Sequence, residues 1–187
     1  MTTNAAFLYK FIQKPKEIGS VIPSSSFLTK KMLANLPWDN IETLVELGAG
    51  TGVFTKFITE NKNESCQIFV IEQDTDMRKA LQDKYPTFHY GAKAEKLDCL
   101  LQRYDLPQVD CIVSGLPFAA FSESLREKIM MAVNHSLKPG GIFVAFQYSL
   151  QMRKTLKKQF DEVIIGFVPL NMPPAFVYYC KKEGEGV

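Results

Sequence analysis

The sequence predicts an α/β fold: a doubly wound, mostly parallel seven-stranded sheet, closed by an antiparallel C-terminal hairpin and preceded by an amphipathic N-terminal helix. Three observations carry it. The run Thr43-Leu44-Val45 leads through Glu46-Leu47 into Gly48-Ala49-Gly50-Thr51-Gly52, and Val53-Phe54-Thr55-Lys56-Phe57-Ile58 then takes up helical spacing, so the order is strand, tight glycine turn, helix. Apolar runs continue to alternate with helical stretches, which favours parallel strands with a ligand crevice at their carboxyl ends. Finally, Phe160 to Val168 and Ala175 to Lys181 flank Pro169-Leu170-Asn171-Met172-Pro173-Pro174 and read as a hairpin.

Each element has its own local reason. Ala5 to Gln13 places Phe7, Leu8, Phe11 and Ile12 on one helical face, with Lys14 and Lys16 beyond it and Pro15 ending it. Gly19 to Ser26 is turn-rich and supplies a serine cap for the helix that starts at Phe27. Helices are expected over Thr51 to Asn61 and Asp74 to Tyr85, with strands at Ile68 to Ile71 and Thr87 to Tyr90. A loop follows from Gly91 to Leu97, and the fourth strand is Val109 to Ser114. Ser122 caps a helix from Glu123 to Leu137, Gly140-Gly141 makes an exit turn, and the fifth strand is Ile142 to Gln147. Ser149 to Lys158 adds a basic helix, whose charge run reads as a solvated face. Glu183 to Val187 is expected to be a disordered tail.

The totals bound the class. A chain of 187 residues with 46% hydrophobic and 22% charged residues suits one globular domain, and no apolar run approaches the ~20 residues that span a bilayer. The start lacks the basic and apolar regions of a signal peptide, so the expected location is the cytoplasm, including the inner face of the membrane. A net charge of +2 is low for a dedicated nucleic-acid binder. Cys66, Cys99, Cys111 and Cys180 show no paired spacing and read as reduced thiols, not zinc ligands or disulfides.

The glycine turn points to a nucleoside ligand. Its Gly-x-Gly-x-Gly spacing differs from the Gly-x-Gly-x-x-Gly of dinucleotide folds. Glu72 ends the second strand about 20 residues later, where a carboxylate accepts both ribose hydroxyls. VELGAGTGVFT followed by VIEQD resembles the cofactor site of S-adenosylmethionine-dependent methyltransferases with a Rossmann-like fold. The resemblance extends through DCIVSGLPF (110–118), LKPGG (137–141) and NMPPAFVY (171–178), and begins at FLYKFIQKPKEIGSVIPSSS (7–26). Those outer stretches resemble bacterial phospholipid N-methyltransferases, relatives of the ribosomal RNA adenine dimethyltransferases.

The resemblance implies S-adenosyl-L-methionine bound by Gly19, Ser20, Glu46, Gly48, Ala49, Gly50, Thr51, Gly52, Glu72, Gln73, Ala94, Glu95 and Ser114. Lys93 stands where relatives carry an aspartate that meets the adenine amine. It also implies a reacting edge at Gly115, Pro117 and Phe118, with Tyr9, Tyr148 and Asn171 at the opening. The RNA enzymes carry asparagine where this chain has Gly115, which supplies no side-chain acceptor for a flat nucleobase amine and suits a bulkier aliphatic amine. The expected reaction is methylation of the headgroup amine of a phosphatidylethanolamine-type phospholipid at an anionic membrane surface, with no metal. An rRNA adenine methyltransferase and a non-catalytic cofactor-binding module are the alternatives. Several residues keep a plainer reading: the N-terminal helix as a lid instead of an interfacial helix, Phe118 as a packed ring, and Tyr148 as a strand-end aromatic with its hydroxyl in solvent. His89 and His135 read as surface or helix-end residues.

Overall fold

A computed structural model describes residues 24–184. The expected helix over 5–13, with Tyr9, and the loop residues Gly19 and Ser20 lie outside the described residues. Seven strands form one sheet in the order β3-β2-β1-β4-β5-β7-β6. They are β1 (Thr43–Leu47), β2 (Gln67–Ile71), β3 (His89–Gly91), β4 (Val109–Ser114), β5 (Leu137–Gln147), β6 (Glu162–Val168) and β7 (Ala175–Lys181). The first five pair in parallel, and β7 runs antiparallel to both β5 and β6. The C-terminal hairpin therefore inserts its second strand against the parallel sheet and leaves β6 at the edge.

Three helices cover each face. On one lie α1 (Ser24–Leu33), α2 (Val53–Asn61) and α3 (Thr75–Lys84), contributing Leu28, Met32, Ile58 and Leu81 to a core with Leu44, Val70, Val113 and Val144. On the other lie α4 (Leu97–Gln102), α5 (Glu123–Ser136) and α6 (Arg153–Gln159), contributing Leu101, Met130, Val133 and Leu156 to a core with Val45, Phe69, Ile112 and Phe143. Burial on both faces explains why the parallel strands read as unbroken apolar runs rather than alternating ones. All five residues of β1 are buried.

Most boundaries fall within two residues of the expectation; four differ instructively. α4 follows the 91–97 loop in a stretch to which the sequence reading assigns no element, because Leu97, Leu100 and Leu101 form one apolar stripe too short to stand out as periodicity. The 137–141 stretch is not an exit turn: β5 begins at Leu137, pairs with Val109, and resumes at Ile142 against Cys111 after an irregularity. Gly140, at φ +76°, lets its amide donate to the Lys182 carbonyl at 3.0 Å, and Lys138 reaches Asp110 at 2.6 Å, so the glycines lie within the sheet. The basic helix starts late, with a 3-10 turn over Leu150–Met152 before α6. The tail is held one residue further than expected, since the Glu183 amide donates to Asp161 at 2.6 Å.

Two caps follow the expected chemistry, whereas the serine expected to cap a helix starting at Phe27 lies inside α1, which already includes Ser24. The Ser122 hydroxyl accepts from the Leu125 amide at 3.3 Å, and Asp74 accepts from the Asp76 and Met77 amides at 3.0 and 2.9 Å. Both caps stand at the carboxyl edge of the sheet, where they aim helix N-termini toward the crevice.

Candidate active site

The crevice is built where β1, β2 and β4 end. The Gly48 amide donates to the Ile71 carbonyl at 2.7 Å and the Gly115 amide to the Leu47 carbonyl at 2.8 Å, so the turns after β1 and β4 are tied to their neighbouring strands. Gly48, Gly50 and Gly52 have φ of +74°, +55° and +84°. Only glycine takes that region without strain. A Cβ on Gly48 would meet Leu116 at 2.8 Å and one on Gly52 would meet Leu81 at 2.6 Å, whereas one on Gly50 would meet nothing within 4 Å. Gly50 thus presents bare backbone to open space.

Glu72 locks this turn. One carboxylate oxygen accepts the Gly50 amide at 2.7 Å and the other the Asp74 amide at 2.9 Å, while Arg78 clamps the Glu72 carbonyl at 2.6 Å. An ionised carboxylate offers about four lone-pair sites, so capacity for two further donors remains. The cleft measures about 490 Å³. Among the expected residues, Gly48, Gly50, Glu72, Gln73, Ala94, Glu95, Gly115 and Pro117 line it. Its volume lies within the range of small-molecule sites.

Glu46 lies behind the glycine turn on the α2 side. It is fully buried, and among the described residues neither carboxylate oxygen, nor the Thr55 hydroxyl, has a hydrogen-bond partner. Burial pushes its carboxyl up to about 7, and nearby Thr55 opposes the shift without meeting hydrogen-bond geometry. An orphaned carboxylate beneath a positive-φ turn is costly in a core and useful beside a cation. Burial, with Glu46 adding to it, likewise raises the Tyr90 hydroxyl to about 12; that hydroxyl sits 2.8 and 2.9 Å from the Leu81 and Tyr85 carbonyls.

The remaining expected residues stand elsewhere. Ala49 belongs to the core, Gly52 packs on Leu81, and Thr51 is exposed outside the cleft. Ser114 is buried, its hydroxyl accepting from the Leu116 amide at 3.3 Å, which shapes the wall from behind. The Phe118 ring is 1% exposed and packs edge-on to Phe121 with centroids 6.1 Å apart. The expectation that it faces substrate is therefore corrected to the plainer one of a packed ring. Tyr148 stands outside the described cleft, half-buried, edge-on to Phe146 and next to the Asn171 side chain instead of with its hydroxyl in solvent. Asn171 is itself held, donating to the Pro173 carbonyl at 2.7 Å. His89 clusters with Phe69 and Tyr104, which also touch each other, and burial lowers its pKa.

Sequence reasoning missed the apolar wall. Leu116, Phe121, Leu125 and Ile129 line the cleft opposite Glu72, and Met77 and Ala92 flank Gln73 and Lys93. Leu125 and Ile129 are a helical i, i+4 pair just after the loop, a signal present in the sequence but given no role in its reading. Gln147 was also missed: 4% exposed, its amide donates to the Leu116 carbonyl at 2.9 Å and sets that loop. Gly115 has a packing reason of its own, because a Cβ there would come 2.8 Å from the Gly48 carbonyl.

A crevice of about 490 Å³ with a glycine turn and a strand-end carboxylate, on a Rossmann-like sheet with a reversed seventh strand, is the arrangement of a class I methyltransferase. The chain belongs to that family: a model described as "Methyltransferase domain" matches residues 44–141. An ornithine lipid N-methyltransferase of Singulisphaera acidiphila is 34% identical over 184 residues, covering 96% of each chain. A ribosomal RNA small subunit methyltransferase A of Maridesulfovibrio salexigens is 29% identical over 75% of this chain and 50% of its own length. The 1,6-didemethyltoxoflavin-N1-methyltransferase of Burkholderia thailandensis, solved with S-adenosylhomocysteine, superposes with a TM-score of 0.71 at 11% identity, covering 96% of this chain and 87% of that one. The protein is an S-adenosylmethionine-dependent methyltransferase, and the bare backbone at Gly50, the spare capacity of Glu72 and Glu46, without a hydrogen-bond partner among the described residues, fit that cofactor.

Proposed function

We propose that this methyltransferase acts on the headgroup amine of a membrane lipid, either phosphatidylethanolamine or an ornithine-type aminolipid, while peripheral on the cytoplasmic face of an anionic membrane. The observation that carries the reading is the acceptor wall: apolar Leu116, Pro117, Phe121, Leu125 and Ile129, with no side chain on Gly115 to pair with a nucleobase edge. The similarity to an ornithine lipid N-methyltransferase over nearly the full chain supports it.

In this reading Glu72 holds the ribose, and the helix α2 turn, with Gly48 and Gly50, lies under the ligand. Glu46 is the counter-charge for the cofactor's cationic end. Bound S-adenosylmethionine supplies an electrophilic methyl group on a sulfonium. The chain aligns the acceptor and excludes water, which are the main levers on a displacement of this kind. A lipid amine is largely protonated in water, and an apolar wall disfavours its charged form, so the Leu116–Ile129 side presents it neutral with its lone pair free. Gln147 keeps the Leu116 carbonyl in place through its 2.9 Å bond.

The test is methyl transfer from labelled S-adenosylmethionine to three pools: vesicles of phosphatidylethanolamine with phosphatidylglycerol, vesicles containing ornithine lipid, and total bacterial RNA. Label in either lipid extract is the expected outcome, and the better substrate names the headgroup. Label confined to RNA would overturn the reading. Residues 1–16 carry a second expectation. Deleting them should reduce sedimentation with vesicles more than cofactor affinity if they are interfacial, while equal loss of both would make them a lid.

A further inference from the structure

The edge of the sheet far from the cofactor strands ends in an apolar tip. Phe167, at the end of β6, is 52% exposed, and Leu170 and Met172 in the following turn are 69% and 74% exposed. Because β6 and β5 both run against β7, the β6–β7 turn lies at the carboxyl edge of the sheet, the edge that bears the cleft. The turn is held. Asn171, between the two exposed residues, is 5% exposed, bonds the Pro173 carbonyl at 2.7 Å and lies beside Tyr148, the residue after β5. Leu170 and Met172 therefore project away from that anchor. Large apolar side chains fixed in this way mark a contact surface.

The surroundings select the occupant. Lys30 and Lys31 on α1 are exposed, and Lys31 lies along Gly166 of β6, where a Cβ would be 3.1 Å from its Cε. A protruding apolar turn with Lys31 set back behind it along β6 matches the two layers of an anionic bilayer, acyl chains for Leu170 and Met172 and headgroups for the cation. We propose that the β6–β7 turn is a membrane-insertion tip that seats the carboxyl edge of the sheet on an anionic phospholipid surface. This rests on the lipid-amine reading and adds a docking element distinct from the N-terminal segment. Gln147 bonds the cleft wall and Tyr148 touches the turn, so seating the tip also places the cleft mouth near the headgroups.

The experiment uses the full chain and vesicles of phosphatidylethanolamine and phosphatidylglycerol, with neutral phosphatidylcholine vesicles for comparison. The double substitution Leu170→Ser/Met172→Ser is set beside Met131→Ser, which removes an equally exposed apolar residue on α5. The tip variant should sediment with anionic vesicles about tenfold less well, while Met131→Ser and S-adenosylmethionine affinity by calorimetry stay at wild-type values. Binding of the tip variant equal to wild type, or no wild-type preference for anionic vesicles, would overturn the tip. So would a wild-type dimer that the tip substitutions dissociate, since the surface would then belong to a second copy. Methyl transfer to a water-soluble short-chain aminolipid, measured in parallel, separates the two ideas. Full transfer by a tip variant that has lost vesicle binding supports both, and absence of transfer by wild type on any lipid sinks the acceptor reading alone.

Discussion

Two carboxylates on neighbouring strands show how differently the two ends of this sheet are built. Asp110, at the amino end of β4, accepts from the Glu42 and Thr43 amides at 3.0 and 2.8 Å, the Thr43 hydroxyl at 2.8 Å and Lys138 at 2.6 Å. Burial works to raise its carboxyl, but Lys138 and Thr43 outweigh burial and hold it below the ordinary range. Glu46, toward the carboxyl end of β1, is more deeply buried and has no hydrogen-bond partner among the described residues. Its carboxyl rises to about 7. The amino end is satisfied internally and serves stability; the carboxyl end leaves an acid, an open glycine and a strand-end carboxylate for something that arrives from outside. Fold and function thus draw on the same residue type with opposite accounting.

The contrast breaks most sharply at Gly50. A valine there would be β-branched at φ +55° and would project into the open cleft, so cofactor affinity should fall roughly a hundredfold or more. Calorimetric titration giving an unchanged affinity would move the site elsewhere. Glu72→Ala comes next. It removes the bonds to Gly50 and Asp74 together with the proposed ribose acceptor, and a loss of about 2–3 kcal/mol in binding is expected. Retention of full affinity would remove Glu72 from the ligand.

Glu46 sharpens the contrast through pH. With its carboxyl at about 7 in the folded protein and 4.5 as the reference value, the fold retains a proton that the unfolded chain releases between those values. This group's contribution to stability therefore falls as pH rises through that window, and Glu46→Gln should flatten the decline in urea midpoints. A cationic ligand that needs the ionised form should bind about tenfold more weakly at pH 6 than at pH 8, and Glu46→Gln should abolish that dependence. The smallest effect is expected at the other end. Asp110→Ala should lower stability by about 1–2 kcal/mol, the partial exposure of the Lys138 pair limiting the loss, with cofactor affinity unchanged. A parallel loss of affinity would show that the two ends are coupled.

The legible parts of the site were those whose chemistry is local. A glycine turn between an apolar run and a helical stripe, and an acid about 20 residues on, are visible in one pass because each depends on a few successive residues. α4 escaped because six residues give less than two turns of pattern, and the 137–141 segment was misread because Lys138 finds Asp110, and Gly140 finds Lys182, only across the sheet. Phe118 was placed at the reacting edge by its neighbours in sequence, whereas its ring turns inward to the α5 side.

By itself, then, the sequence determined the α/β class, the strand order, the order of the described helices other than α4, the glycine turn and the strand-end position of Glu72, since backbone conformation and amphipathic period are written in adjacent residues. Tertiary structure alone decided that Glu46 has no hydrogen-bond partner among the described residues, that Gly115 must be bare because the Gly48 carbonyl stands 2.8 Å from its would-be Cβ, and that Leu170 and Met172 project from the cleft edge. Burial, close approach and exposure depend on chain segments distant in sequence, and they acquire values only when the strands have taken their places.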